Sequence, residues 1–394
     1  MQIERPISAP VLLLGFSLAL LHMPSGIPAP FYPLYEARFA IGSMTISMFF
    51  ATYILGVVLA LLLAPKLTFF RYILVFSCLL SVLGDLVFLR AGSVFEIYMG
   101  HLIHGLVLGV FTLVIPVVLG RIDFSGSSKI AGRITTSANA IGLTAGPLWS
   151  GLMLAYVPSG DSLIWWLQIG MTVLVTPFMR LNLSRGDQIA SKLNASLKYR
   201  WRIFFEDRLT IAAVIVGFAS FASGGLLAAL GSVLASSVML ESNSAIQGFA
   251  VSIGFAMSAI AGGLHLRRSD ASTIFVGVVF IALGVVGLAI AITWAHLPVF
   301  LLSAGICGVG QGLGLQGATQ AVAHRSSADQ ASKSISSFFL ICYSGTVCAS
   351  FGVGLIIAAS DLETASVLFC AFLLLVCIVG IAIIPKNKAA TFGR

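Results

Sequence analysis

Apolar residues fall in long unbroken blocks separated by short polar turns. Twelve blocks of helix-spanning length lie at 10–31, 45–65, 72–90, 97–119, 131–156, 163–181, 210–235, 246–266, 272–294, 298–322, 334–358 and 364–385. Each suffices to carry a helix across a hydrocarbon layer of about 30 Å. The pattern predicts an all-α integral membrane protein with twelve transmembrane helices. Only the connection Asn182 to Arg208 has the composition of a linker, with Arg185, Lys192, Lys198, Arg200, Arg202 and Arg208 set among Asp187, Glu206 and Asp207. It reads either as an amphipathic segment on anionic lipid or as a solvated hinge. Either way it gives a six-helix bundle over 1–181, a cytoplasmic linker over 182–208 and a second six-helix bundle over 209–394.

Composition agrees: of 394 residues, 58% are hydrophobic and 9% charged, with a mean hydropathy of +1.04, which excludes an ordinary soluble protein. The net charge of +8 is explained by position and not by a nucleic-acid partner. With a cytoplasmic N-terminus, 20 of the 22 Lys and Arg residues fall inside, leaving only Arg38 and Arg90 outside. The positive-inside rule then predicts a multi-pass cell-membrane protein, of the bacterial inner membrane, with both termini cytoplasmic. Loops near Asp161, Glu241, Asp361 and Glu363 carry no Lys or Arg. The first block is too long for a signal-peptide core and is expected to be a retained helix. Cysteines 78, 307, 342, 348, 370 and 377 lie inside apolar blocks without CxxC spacing and are expected to be thiols, with no disulfide framework and no metal site.

Within the fifth block stands Gly142-Leu-Thr-Ala-Gly146-Pro147-Leu-Trp-Ser150-Gly151. Glycines 142 and 146 share a helix face and let a neighbour approach closely, while Pro147 removes a backbone donor. This segment resembles the antiporter signature of the major facilitator superfamily, G-x-x-x-G-P-x-x-G-G, with Ser150 in place of the penultimate glycine. The resemblance is to the twelve-helix drug/proton antiporter type and implies two pseudo-symmetric bundles that rock about a central cavity, functioning as a monomer. Superfamily members carry an acid and bases in the turn between helices two and three. Here Lys66 and Arg71 remain and Thr68 stands near the acid's place; the matching turn in the second half keeps Arg267 and Arg268, also without the acid. Where members often have R-x-x-Q-G in helix four, this chain has His101-Leu-Ile-His104-Gly105. Two further features fit a duplicated unit: the segments from Arg121 and Arg325 resemble each other at corresponding places, and the glycine-rich tenth block echoes the fourth.

The outer end of the first block carries Pro24, Pro28 and Pro30, with Pro33 just beyond it; the three prolines of the span break the hydrogen-bond ladder and predict a cavity mouth. Ionisable groups at membrane depth are functional candidates. His101 and His104, three apart on one face, are the first choice for proton coupling, followed by His22 and Asp85, though Asp85 has Arg90 as an alternative ion-pair partner. Phe31, Tyr32, Phe111, Asn139, Gln168, Gln311, Gln316, Phe338 and Tyr343 are expected at a substrate cavity, the amides having helix-to-helix bonding as their alternative. No P-loop, nucleotide domain, HExxH or clustered Cys and His occurs, so no cofactor and no enzymatic activity are expected. The expected function is secondary transport, as proton-coupled export of small amphiphilic organic molecules. The alternatives are an importer or facilitator of a small organic nutrient and, further off, a non-transporting membrane sensor or lipid-handling enzyme.

Overall fold

The computed structural model describes residues 9–63, 70–122, 128–181, 202–264, 268–326 and 331–385, all helix or turn. Twelve helices of 14 residues or more follow in order: α1 (Ala9–His22), α2 (Ser43–Leu63), α3 (Phe70–Arg90), α4 (Val94–Ile122), α5 (Ser128–Tyr156), α6 (Gly160–Leu181), α7 (Arg208–Val233), α8 (Ser244–Gly263), α9 (Asp270–Thr293), α10 (Leu297–His324), α11 (Ala331–Val347) and α12 (Leu362–Ile383). Eleven spans of the described residues are long and apolar enough to cross a membrane; α5, with Pro147 inside it, makes the twelfth helix. Large apolar side chains such as Phe76, Leu174 and Leu375 point outward, as a lipid-facing surface requires. This is a multi-pass membrane protein.

The first span reaches further than expected. α1 gives way to two tight turns, Met23–Ser25 and Ala29–Phe31, each opened by a proline, and resumes as Tyr32–Phe39. The predicted break is present, but it is packed instead of opening to a cavity. Residues 23–32 are buried, and the freed carbonyls face protein: Met23 O accepts the Gly26 and Ile27 amides, and Ala29 O accepts the Ser232 hydroxyl at 2.6 Å. α11 has its own irregularity, a π-helical turn at Cys348–Gly352 leading into Val353–Ala359.

Packing repeats with a period of six helices. α1 lies on α5, α2 on α4, and α3 on α4 and α6; likewise α7 lies on α11, α8 on α10, and α9 on α10 and α12. Between bundles the leading pairs are α5 with α8 and α2 with α11 and its continuation. Advancing each helix by six exchanges these two pairs, the signature of a two-fold repeat. The expected linker spans 182–208. Its residues 182–201 lie outside the described set, while 202–205 form a short turn that buries Ile203 and Phe204.

Candidate functional site: a buried histidine and carboxylate cluster beside the bundle seal

α4 presents His101 and His104 on one face, and both are buried. His101 Nδ1 lies 2.9 Å from the Ile97 carbonyl and must carry the hydrogen there. Its Nε2 is then an acceptor, 2.9 Å from the Tyr32 hydroxyl, which donates to it. Rings enclose this imidazole: Phe49 is stacked at 5.5 Å and Phe88 stands edge-on at 5.0 Å. Phe88 in turn stacks on Trp165 at 4.7 Å, with 2° between planes.

His104 faces Asp85 of α3, with Nε2 3.4 Å from Oδ1. The pair fits because position 84 is glycine; a Cβ there would sit on the imidazole. Asp85 is fully buried and neither carboxylate oxygen has a hydrogen-bond partner. Arg90, the alternative partner, is exposed at the end of α3. A lone charge in such a place costs several kcal/mol. The two groups are placed so that a charge on either has the other as its nearest compensating partner. His22 is buried on α1, its Nδ1 donating to Leu18 O at 2.7 Å.

The remaining candidates divide between the bundles. In the first, Phe31 packs on Tyr35 and Trp165, each ring at 5.8 Å. Phe111 sits in a core with Leu18 and Leu74, and Asn139 is half-buried. Gln168 ties α6 to α1 through Nε2 and Leu20 O at 3.0 Å. In the second, Gln311 Nε2 donates to Ser223 Oγ at 3.2 Å and Gln316 Nε2 to Leu264 O at 3.0 Å. Phe338 packs where Gly217 has no side chain, and Tyr343 stands edge-on to Phe221 at 5.2 Å. In this conformation the amides act as helix-to-helix ties and the rings are largely buried. Among the loop candidates, Lys66 and Arg267 lie outside the described residues, as does Thr68; Arg71 lies in the first turn of α3 and Arg268 is exposed. An acid does serve the second-half turn from another position: Asp270 pairs with His324 at 2.9 Å.

The glycines of α5 make two different contacts. A Cβ at Gly142 would strike Ala19 O and the His22 Cβ, and one at Gly146 would strike Met23 O, so this face receives the broken first span. A Cβ at Gly151 would stand 2.5 Å from Ser244 O, and one at Gly248 of α8 would strike Pro147 O. α5 is thus a wedge between its own bundle and the other. Further bonds join the bundles at this end: Ser47 Oγ donates to Ser350 O, and Asn243 Nδ2 to the Tyr156 hydroxyl at 3.1 Å. All belong to the face opposite the N-terminal end of α1. The sequence had not pointed to Phe49, Phe88, Trp165, Gly84 or these serines; the adjacent Gly84 and Asp85 were the available signal.

No family model matches this sequence, and no curated protein matches it. Solved structures do match in fold. The crystal structure of a bacterial homolog of the human lysosomal transporter Spinster, inward-facing and occupied, aligns with a TM-score of 0.66 at 13% identity, covering 95% of this chain and 96% of that one. The nucleoside transporter NupG aligns with a TM-score of 0.67 at 12% identity, covering 96% and 100%. At such identities the likeness is one of fold. The chain has the major facilitator fold, in which two six-helix bundles face each other.

Proposed function

We propose that this protein is a secondary transporter working by alternating access, and that it exports small amphiphilic organic molecules in exchange for protons. The observation that carries the proposal is the link between the buried titratable cluster and the bundle seal. Tyr32 bonds His101, and three residues earlier the Ala29 carbonyl accepts Ser232 from the opposite bundle. Protonation of His101 reverses the bond, because Nε2 then donates and the tyrosine oxygen must accept. The hydroxyl hydrogen has to leave the imidazole, which perturbs the one interrupted segment of α1 that touches both bundles. His104 with Asp85 stores the second proton position one turn away.

With both termini cytoplasmic, the sealed face is the outer one, and the state described is closed to the outside. The α5 motif that resembles an antiporter signature lies in that seal, which favours exchange over simple uptake. The experiment is accumulation of lipophilic dyes in efflux-deficient bacteria expressing the chain, with and without a protonophore. Lower accumulation that the protonophore reverses, and that His101→Ala abolishes, is the expected result. An unchanged pH dependence of efflux in His101→Ala removes His101 from the coupling step.

A further inference from the structure

The interface of α3 and α6 carries five buried oxygens without a hydrogen-bond partner. The two helices are antiparallel, and their register is fixed at one level by the Phe88–Trp165 stack. Further along, Leu74 and Met179 share a core cluster. From Phe88, α3 places Asp85 and then Ser81 at steps of three and four residues; from Trp165, α6 places Gln168 and Thr172 at the same steps in the opposite direction. The register therefore sets Asp85 opposite Gln168 and Ser81 opposite Thr172. All four residues are fully buried. Asp85 Oδ1 and Oδ2, Ser81 Oγ, Gln168 Oε1 and Thr172 Oγ1 have no hydrogen-bond partner. The Gln168 amide is oriented, since Nε2 donates to Leu20 O of α1, which leaves its oxygen for another ligand.

Buried polar groups in folded proteins are satisfied, so a run of orphaned oxygens on two facing helices needs a common partner. We propose that this seam binds a monovalent hard cation of the sodium class. The donors are all oxygen, which suits a hard cation. Only one carboxylate is present, so a single positive charge, bound when His104 is neutral, balances the seam, whereas a calcium or magnesium ion would leave a buried excess. Soft transition metals are disfavoured because none of the four seam residues carries sulfur and a single imidazole, His104, stands at the carboxylate's other side. The proposal goes beyond proton exchange, and ion binding is measured without transport, so failure of either leaves the other standing.

The test is thermal unfolding of the purified full chain in sodium, potassium and choline chlorides at equal ionic strength. The expected result is a sodium-specific, saturable rise in the midpoint, as for any ligand of the native state. Asp85→Asn is expected to abolish the rise. Thr172→Val, which keeps shape while removing one ligand, is expected to raise the half-saturating sodium concentration roughly tenfold. If Asp85→Asn does not fold, Thr172→Val decides alone. Equal midpoints in all three salts, as expected if water alone fills the seam, or a sodium response unchanged in Thr172→Val, overturns the proposal.

Discussion

Gly248→Ala puts one methyl group into the seal between the bundles. The new carbon would overlap the Pro147 carbonyl oxygen and stand 3.1 Å from its carbon and 3.2 Å from the Gly151 Cα. Every obstacle is backbone, so no side chain can turn aside, and α5 and α8 must part by about 1 Å to restore ordinary contact. Overpacking of this kind costs about 1–3 kcal/mol. Only the state closed at this face bears the cost, so its population against the open state falls by roughly 5- to 150-fold. Spin labels at Phe95 and Trp294, both exposed at this end on opposite bundles, report the separation; the partly exposed Cys348 is first replaced by alanine. A distance distribution moved to longer values in Gly248→Ala, and unmoved in Gly170→Ala, where a Cβ meets nothing within 4 Å, is the expected outcome. A distribution identical to the parent's in Gly248→Ala refutes the assignment of this contact as the gate.

Other outcomes follow from single groups. Tyr32→Phe leaves His101 Nε2 buried without its donor, which costs about 1–3 kcal/mol; proton-driven efflux should fall while the protein still folds, as read by dye transport and a melting curve. Asp207 caps α7 through the Leu209 and Thr210 amides and pairs with Arg325. Burial alone would push its carboxyl up, but the amides and the guanidinium outweigh burial and hold it below the ordinary carboxylate value. Its contribution is therefore complete above that value and lost as pH falls through the lowered one. Asp207→Asn, which preserves a capping oxygen, should flatten the acid limb of melting temperature against pH below about pH 4. The six cysteines are free, five of them buried; reductant should leave the melting curve unchanged, and a maleimide should modify Cys348 first.

Layout was legible in the sequence because it follows from length and hydropathy alone, which bilayer thickness constrains tightly. The break in the first span was legible from its prolines, but not its surroundings: whether freed carbonyls meet water or a serine such as Ser232 depends on the other bundle. His101 and His104 could be picked out because few other ionisable groups lie at depth. Their partners could not be. Tyr32 is 69 positions from His101, and Asp85 lies nearer in sequence to Arg90 than to His104, so only the α3–α4 packing decides between them. The amides at 168, 311 and 316 show the converse: a polar side chain inside a bundle satisfies the nearest carbonyl or hydroxyl, and the sequence does not reveal which one is nearest.

The central claim, that protons drive export through this cluster, is tested most directly with purified protein in liposomes under an imposed pH gradient. Dye movement and proton movement are followed together for the parent chain and for His101→Ala. Opposed fluxes of dye and protons in the parent, both lost in His101→Ala, are expected. Dye flux that ignores the gradient, or opposed fluxes that persist in His101→Ala, contradicts it.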